Sequence, residues 1–97
     1  MPNINNPFYG KRQSDIFISR PVKYKVETKH ELGEKIYKII EELPKLDSIS
    51  YTKDSVTGHY IVRHEGYVIV LRSDPNSGRV FILTAYRMGD KFGGNPL

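Results

Sequence analysis

The chain has 97 residues, which suits a single domain with a modest core. It contains no cysteine, so a disulfide framework, thiol catalysis and a cysteine-ligated zinc site are all excluded. The net charge of +4 permits a polyanionic partner such as nucleic acid without requiring one.

The sequence carries no sign of export or membrane insertion. Its N-terminus lacks the apolar run of a signal peptide, and no stretch approaches the length of a membrane span. We therefore expect a soluble protein that acts in the cytoplasm without membrane contact. A domain delivered as part of a larger toxin would look the same, because its export signal would lie elsewhere.

The N-terminal part is predicted to form an arm followed by extended segments. Residues 1–14 are rich in Asn, Pro and Gly, which is typical of a flexible arm. Residues 15–20 and 22–27 look extended and are separated by Pro21. In the second segment apolar residues alternate with charged ones, which is the period of a half-buried strand.

A helix is predicted over residues 29–43. Thr28 and Glu31 fit a capping box, in which the Thr hydroxyl accepts from the Glu31 amide and the Glu31 carboxylate reaches back. Pro44 is predicted to end the helix. The apolar residues between them recur at helical spacing and form one stripe, made of Leu32, Ile36, Ile39, Ile40 and Leu43.

Four strands are predicted after the helix, in runs that are rich in Val, Ile and Tyr. They cover residues 48–53, 59–64, 67–72 and 79–88. Polar turns at 65–66 and 74–78 join the last three. Residues 89–97 lose the pattern and are predicted to be a tail, which leaves 15–88 as one domain. The predicted fold class is α+β, with one amphipathic helix packed on a four-stranded antiparallel β-sheet and possible extra N-terminal strands.

The hairpin turns set a provisional register for the sheet. With the turn at 65–66, and with Arg72 assumed to lie opposite Val80, Arg63 and Thr84 share a row on the face away from the helix. A one-residue slip in the second hairpin would change that row. The residues predicted to be buried under the helix are Ile36, Ile40, Leu71, Phe81 and Leu83.

The face away from the helix carries groups that can cut RNA without a metal. In that reaction the RNA 2′-hydroxyl attacks the neighbouring phosphate, while the protein moves protons and stabilises the added negative charge. Arginine pairs with phosphate oxygens, histidine transfers protons near neutral pH, and Thr and Tyr hydroxyls bind phosphate. The catalytic candidates are His30, Arg63, Thr84 and Tyr86, and the substrate-binding candidates are Lys29, His59 and Arg72.

Lys29 and His30 lie together in the first turn of the predicted helix, where the helix dipole favours a bound anion. Two solvated surface residues are the alternative. If His30 cannot reach the other face of the sheet, His59 or His64 is its substitute. The three histidines show no recognised metal-ligand spacing, because residues 59 and 64 would point to opposite faces of a strand. No metal and no cofactor is therefore predicted.

The segment from the predicted helix to Met88 resembles the barnase–EndoU–colicin–RelE superfamily of small RNases. Gly-His-Tyr-Ile-Val-Arg-His-Glu-Gly-Tyr-Val-Ile-Val-Leu-Arg (58–72) is similar to the paired central strands of that superfamily. Val-Phe-Ile-Leu-Thr-Ala-Tyr-Arg (80–87) is similar to its last strand. Lys29 and His30 match the basic residues that its phage and contact-dependent toxin branches place near the helix.

The resemblance implies a metal-independent endoribonuclease toxin that cleaves RNA, such as tRNA or mRNA, and leaves a 2′,3′-cyclic phosphate. It implies that His30 is the general acid or base and that Arg63 binds the scissile phosphate. Thr84 and Tyr86 would orient that phosphate. RelE-type members usually begin with two helices, whereas one is predicted here.

The partners expected of such a toxin are RNA and an acidic immunity protein or antitoxin, since complementary charge speeds the association of an inhibitor with a basic face. Two alternatives stay open. One is a non-catalytic phage or accessory protein that binds another protein. The other is a nucleic-acid-binding module that does not cut.

Overall fold

The computed structural model describes residues 5–28 and 30–89, and for His30 it describes the backbone alone. Seven main elements follow one another in the order βααββββ. They are β1 (Ile16–Ile18), α1 (Arg20–Thr28), α2 (His30–Glu42), β2 (Ser50–Lys53), β3 (Tyr60–His64), β4 (Tyr67–Asp74) and β5 (Arg79–Arg87). Short 3-10 turns lie at Gln13–Asp15 and Leu43–Lys45.

The strands form one five-stranded sheet in the order β1-β5-β4-β3-β2. The pairs β2–β3, β3–β4 and β4–β5 are antiparallel, while β1 runs parallel to β5. The α+β class is confirmed, but the sheet is mixed and five-stranded instead of four-stranded and antiparallel. Among the described residues, no helix combines the length and apolar character needed to cross a membrane.

The predicted strand over residues 22–27 is wrong, because this segment belongs to helix α1. Val22 is fully buried and Val26 packs against the core, and residues four apart lie on the same side of a helix. Pro21 occupies the first turn of α1, where a missing amide costs no helical hydrogen bond. The spacing of four positions between Val22 and Val26 therefore fits both a strand, with its period of two, and a helix, with its period of 3.6. Packing against the core selects the helix.

The predicted capping box at Thr28 is also absent. The Thr28 hydroxyl donates to the carbonyl oxygen of Tyr24 at 2.7 Å, which places it in the last turn of α1. Lys29, between the two helices, lies outside the described residues. The single predicted helix over 29–43 thus corresponds to α2 and the 3-10 turn that follows it, and a second helix precedes it.

At Gly33 the backbone of α2 lies close against the backbone of α1. A Cβ atom at this position would lie 2.6 Å from the carbonyl oxygens of Lys25 and Val26. Such contacts are with backbone atoms, which cannot rotate away. The glycine is therefore required by the helix–helix contact.

We expect Gly33→Ala to destabilise the protein by roughly 1–3 kcal/mol, because the added methyl group forces the helices apart. Helix propensity alone predicts the opposite sign, a gain of about 1 kcal/mol. Urea unfolding of this variant measures the difference, with Lys35→Ala on the exposed side of α2 as the control. An increase in stability for Gly33→Ala would show that α1 and α2 are not in close contact.

The core lies between the helices and one face of the sheet. From the helix side it contains Ile36, Ile39, Ile40 and Leu43 with Val22. From the sheet it contains Val62, Ile69, Leu71, Val80, Ile82 and Ala85. The predicted burial of Ile36, Ile40 and Leu71 is confirmed.

The predicted burial of Phe81 and Leu83 is wrong. Val80 and Ile82 occupy the core in their place, with exposed fractions of 1% and 0%. The reason lies in the assumed register, since Arg72 pairs with Phe81 and not with Val80. The second hairpin loop has one more residue than we assumed, and this shift reverses the two faces at the start of β5.

Residues that were predicted to form a flexible arm pack against the domain. Phe8 is 1% exposed and belongs to the core, and its ring meets the ring of Tyr60 edge-on at 5.1 Å. The buried Asn6 side chain donates to the carbonyl oxygens of Leu43 (2.7 Å) and Leu46 (2.8 Å), just after α2. The segment from residue 5 therefore contributes to the fold. Of the predicted tail, only Gly89 is described.

Candidate functional site

One face of the sheet is not covered by a helix in the described part of the chain. We call it the open face. Alternate residues of each strand point to it, while their neighbours point into the core. All five strands contribute side chains to it: Phe17, Ser50, Thr52, Ile61, Arg63, Val68, Val70, Arg72, Asp74, Arg79, Phe81, Thr84 and Tyr86.

A pocket of about 330 Å³ opens on this face. Its floor is formed by aliphatic side chains of the sheet, and its polar groups stand around the rim. It is lined by Asp54, Thr57, His59, Ile61, Val70, Leu83, Thr84 and Tyr86. Three of the predicted site residues, His59, Thr84 and Tyr86, therefore meet at one place.

His59 is held at the pocket by the loop that joins β2 to β3. The Asp54 amide donates to the His59 carbonyl oxygen at 2.8 Å, and the His59 amide donates to the Thr57 hydroxyl at 3.1 Å. Gly58, with φ of +77°, turns the chain just before it and donates its amide to the Asp54 carbonyl oxygen. Main-chain hydrogen bonds thus position this histidine, independently of its ring.

Asp54 supplies the negative charge of the pocket. The amides of Val56 and Thr57 donate to its carboxylate and hold the pKa of Asp54 below its ordinary value. The carboxylate is therefore ionised at neutral pH and lies close enough to His59 for their charges to interact. A phosphate that enters the pocket would need the positive groups of the open face to offset this charge.

A β-bulge shapes the wall of the pocket that β5 provides. Val70 pairs with Thr84 while the next residue, Leu71, pairs with Ile82, so Leu83 is the extra residue. Both Leu83 and Thr84 consequently line the pocket. Bulges often redirect a side chain at a functional site, which is their effect here.

Arg63 lies one row away from Thr84, which corrects the predicted row. Arg63 pairs with Val68, and Val68 pairs with Tyr86, so Arg63 and Tyr86 flank the buried Val68 on the open face. Thr84 shares its row with Val70 and Ile61 instead. Arg63 thus lies in the row of Tyr86, next to the row of Thr84, and does not itself line the pocket.

Two phenylalanine rings and two arginines form a second group, at the β1 end of the open face. We call it the ring–arginine cluster, made of Phe17, Phe81, Arg72 and Arg79. The rings are 5.6 Å apart with a tilt of 31°. The Arg72 guanidinium lies 4.7 Å from the centre of the Phe81 ring, and that of Arg79 lies 5.2 Å from the Phe17 ring.

The arginines of the open face are not held in salt bridges in the described part of the chain, although the charge of Arg72 contributes to the low pKa of the nearby Asp74. None of Arg63, Arg72 and Arg79 forms a salt bridge there. The nearby Asp74 is occupied by its own turn, where the Ser77 hydroxyl and the Asn76 amide donate to it and lower its pKa. The guanidinium groups therefore remain available to an anionic ligand.

Of the predicted site residues, Arg72 belongs to the ring–arginine cluster and not to the pocket. His30 begins α2, on the other side of the sheet, and its side chain is not described. Lys29 lies outside the described residues. Phe17, Phe81 and Arg79 were missed by sequence reasoning, although the alternation Ile16-Phe17-Ile18 signals a half-buried strand with one exposed ring.

His64 lies on the helix side, close to two acids. Its Nε2 atom is 3.4 Å from a Glu65 carboxylate oxygen and 4.0 Å from one of Glu42. Within the described ranges this trio is the one group of three potential metal ligands that meet, with their ligand atoms within 4.8 Å of one another. The trio is remote from the pocket, so His64 is a suitable control residue for the site.

Comparison of the chain with protein-family models, with curated proteins and with solved structures finds no match.

Proposed function

We propose that the open face binds single-stranded RNA and that the His59 pocket cleaves it without a metal. The observation that carries this proposal is the meeting of His59, Thr84 and Tyr86 around one pocket, with Arg63 in the same row of the open face as Tyr86. These are the side-chain types that proton transfer and phosphate binding require.

The roles follow from chemistry and position. His59 accepts the proton of the 2′-hydroxyl as its oxygen bonds to phosphorus, and then donates that proton to the 5′-oxygen as the bond between phosphorus and the 5′-oxygen breaks. Arg63 pairs with the phosphate oxygens and stabilises the negative charge that builds up on them. Thr84 and Tyr86 hold the phosphate by hydrogen bonds from their hydroxyl groups. His59 thereby takes the role that the superfamily resemblance implies for His30.

The aliphatic floor of the pocket favours the same reaction. Ile61, Val70 and Leu83 exclude water beneath the reacting phosphate, and interactions between charges are stronger where water is excluded. The 2′-hydroxyl, already attached to the substrate, is then the nucleophile closest to phosphorus. The expected products carry a 2′,3′-cyclic phosphate and a 5′-hydroxyl group.

RelE-type members of the superfamily that the sequence resembles usually begin with two helices. With α1 and α2, this chain also has two helices before its last four strands. This agreement supports the resemblance as a proposal. A cell that makes such an enzyme must inhibit it, and the arginines of the open face suit an acidic immunity protein or antitoxin.

A second candidate is a single-stranded nucleic-acid binder that does not cut. The ring–arginine cluster favours it, because aromatic rings and arginines bind single strands without any catalytic group. The two candidates differ in the fate of the bound RNA.

The experiment that separates them is incubation of the purified protein with a single-stranded RNA in EDTA, beside a DNA strand of the same sequence. We expect the RNA to be cleaved and the DNA to stay intact, because DNA lacks the 2′-hydroxyl group. Intact RNA with measurable binding would favour the non-cleaving binder. Equal cleavage of both strands, or cleavage that requires a divalent metal, would contradict the proposed chemistry.

A further inference from the structure

We propose that the ring–arginine cluster is a base-stacking subsite, which makes single-stranded nucleic acid the substrate class of this face. The assignment of the bound strand as a substrate rests on the proposed function. The stacking itself does not, because a strand that cannot be cleaved would bind there equally well.

The cluster presents both features that a single strand needs. RNA bases stack on aromatic side chains and on guanidinium planes, and phosphates pair with arginine. Phe17 is 41% exposed, although an aromatic ring gains from burial, and it lies beside the half-buried Phe81. Two arginines lie against these rings, and neither forms a salt bridge in the described part of the chain.

The charge and the shape of the ring–arginine cluster indicate which kind of polymer it binds. The guanidinium groups of Arg72 and Arg79 complement a polyanion, and the exposed Phe17 ring offers an apolar plane beside them. In a duplex the bases are already stacked within the helix, so their planes cannot reach the cluster. The geometry therefore favours an unpaired strand over a duplex of the same charge.

The position of the cluster connects it with the pocket. Phe81 and Thr84 lie opposite Arg72 and Val70, which are two positions apart on β4, so the bulge leaves them roughly 7 Å apart along the sheet. A nucleic-acid strand that runs along β5 can place one base on the cluster while a nearby phosphate enters the pocket. The cluster would then position the strand for cleavage without taking part in the reaction.

The test measures binding on a strand that cannot be cleaved through a 2′-hydroxyl. A fluorescent all-deoxy oligonucleotide is titrated by anisotropy with the wild-type protein, Phe17→Leu and Arg72→Lys. Leucine keeps apolar bulk and lysine keeps charge, but neither offers a planar group. Stacking is worth roughly 1–3 kcal/mol per base, so each variant should bind about 5- to 150-fold more weakly.

Matched controls lie on the helix side of the protein. Tyr37→Leu removes a ring of similar exposure on α2, and Arg20→Lys removes a guanidinium at the start of α1. Both should leave the affinity unchanged. Thermal unfolding of all four variants checks that each is folded at the temperature of the titration.

A substitution in the ligand completes the test. An abasic site moved along the oligonucleotide should weaken binding to the wild-type protein at one position. The same abasic site should cause little further loss with Phe17→Leu, because the stacking partner is already gone. A duplex of the same sequence should bind more weakly than the single strand.

The possible outcomes separate this proposal from the proposed function. Deoxy-strand binding that depends on Phe17 and Arg72, without RNA cleavage, supports the stacking subsite and contradicts the enzyme. Unchanged affinity in both cluster variants, equal affinity for the duplex, or no binding to any oligonucleotide overturns the subsite. RNA cleavage by Phe17→Leu at the wild-type kcat/KM also overturns it, while the enzyme proposal stands.

Discussion

Replacing His59 by alanine is expected to lower the rate of RNA cleavage by about 10²- to 10⁴-fold, the usual contribution of a positioned proton-transfer group. The fold should be unaffected, because the hydrogen bonds of this residue to Asp54 and Thr57 involve its main-chain atoms. The measurement is kcat/KM on a single-stranded RNA, together with the urea midpoint of each variant.

Two other histidine variants control this experiment. His64→Ala should retain cleavage, since His64 lies on the helix side beside Glu42 and Glu65. His30→Ala tests the assignment that the superfamily resemblance implies. If His30→Ala abolished cleavage and His59→Ala did not, the general acid or base would be His30, and our placement of the proton transfer would be wrong.

Replacing Phe8 by alanine is expected to cost about 3–5 kcal/mol of unfolding free energy, the typical loss for a buried phenylalanine. Phe8 is 1% exposed and packs edge-on against Tyr60 in the core. Small domains have roughly 5–15 kcal/mol of stability in total, so this loss is a large share. Urea or thermal unfolding measures it.

The neighbouring Tyr9 provides the control for Phe8, because it is 46% exposed. Tyr9→Ala should change the unfolding free energy by about 0.5 kcal/mol or less, as is usual for surface positions. Equal and small effects at both positions would show that the N-terminal segment is the flexible arm that its composition suggests, and that it adds nothing to the core.

The parts of the fold that could be predicted are those with a strong and unambiguous period. The stripe from Leu32 to Leu43 has helical spacing only, and the turn at Glu65 and Gly66 sets a register that the β3–β4 pairing reproduces. The segment from Val22 to Val26 fits both a strand and a helix, so local pattern could not decide it. The helix wins because Val22 becomes fully buried there.

The second hairpin explains why the predicted core residues of β5 were wrong, whereas Thr84 and Tyr86 were placed on the correct face. Its loop holds four residues, since Asp74 pairs with Arg79, and this single extra residue exchanged Phe81 and Ile82 between the faces. The bulge at Leu83 adds a second one-residue shift. The two shifts add up to two residues, which restores the alternation of faces beyond the bulge, so Thr84 and Tyr86 lie on the predicted face although their partners on β4 differ from the predicted ones.

The packing of the N-terminal segment could not be read from composition. Asn, Pro and Gly favour loops, but a loop can still be held by hydrogen bonds to the rest of the chain. Asn6 is such a case, since its buried side-chain amide satisfies two carbonyl groups that follow α2. These contacts span about 40 positions in the chain, beyond the reach of any local pattern.

The central claim is that this protein cleaves RNA through the RNA's own 2′-hydroxyl group at the His59 pocket. Mass spectrometry of the ends left on a single-stranded RNA in EDTA tests it most directly, with the His59→Ala protein treated in parallel. We predict 2′,3′-cyclic phosphate and 5′-hydroxyl ends from the wild-type protein and, over the same reaction time, at most about a hundredth as much of these products from the variant. Products with 3′-hydroxyl and 5′-phosphate ends, or no products from the wild-type protein, would contradict the account.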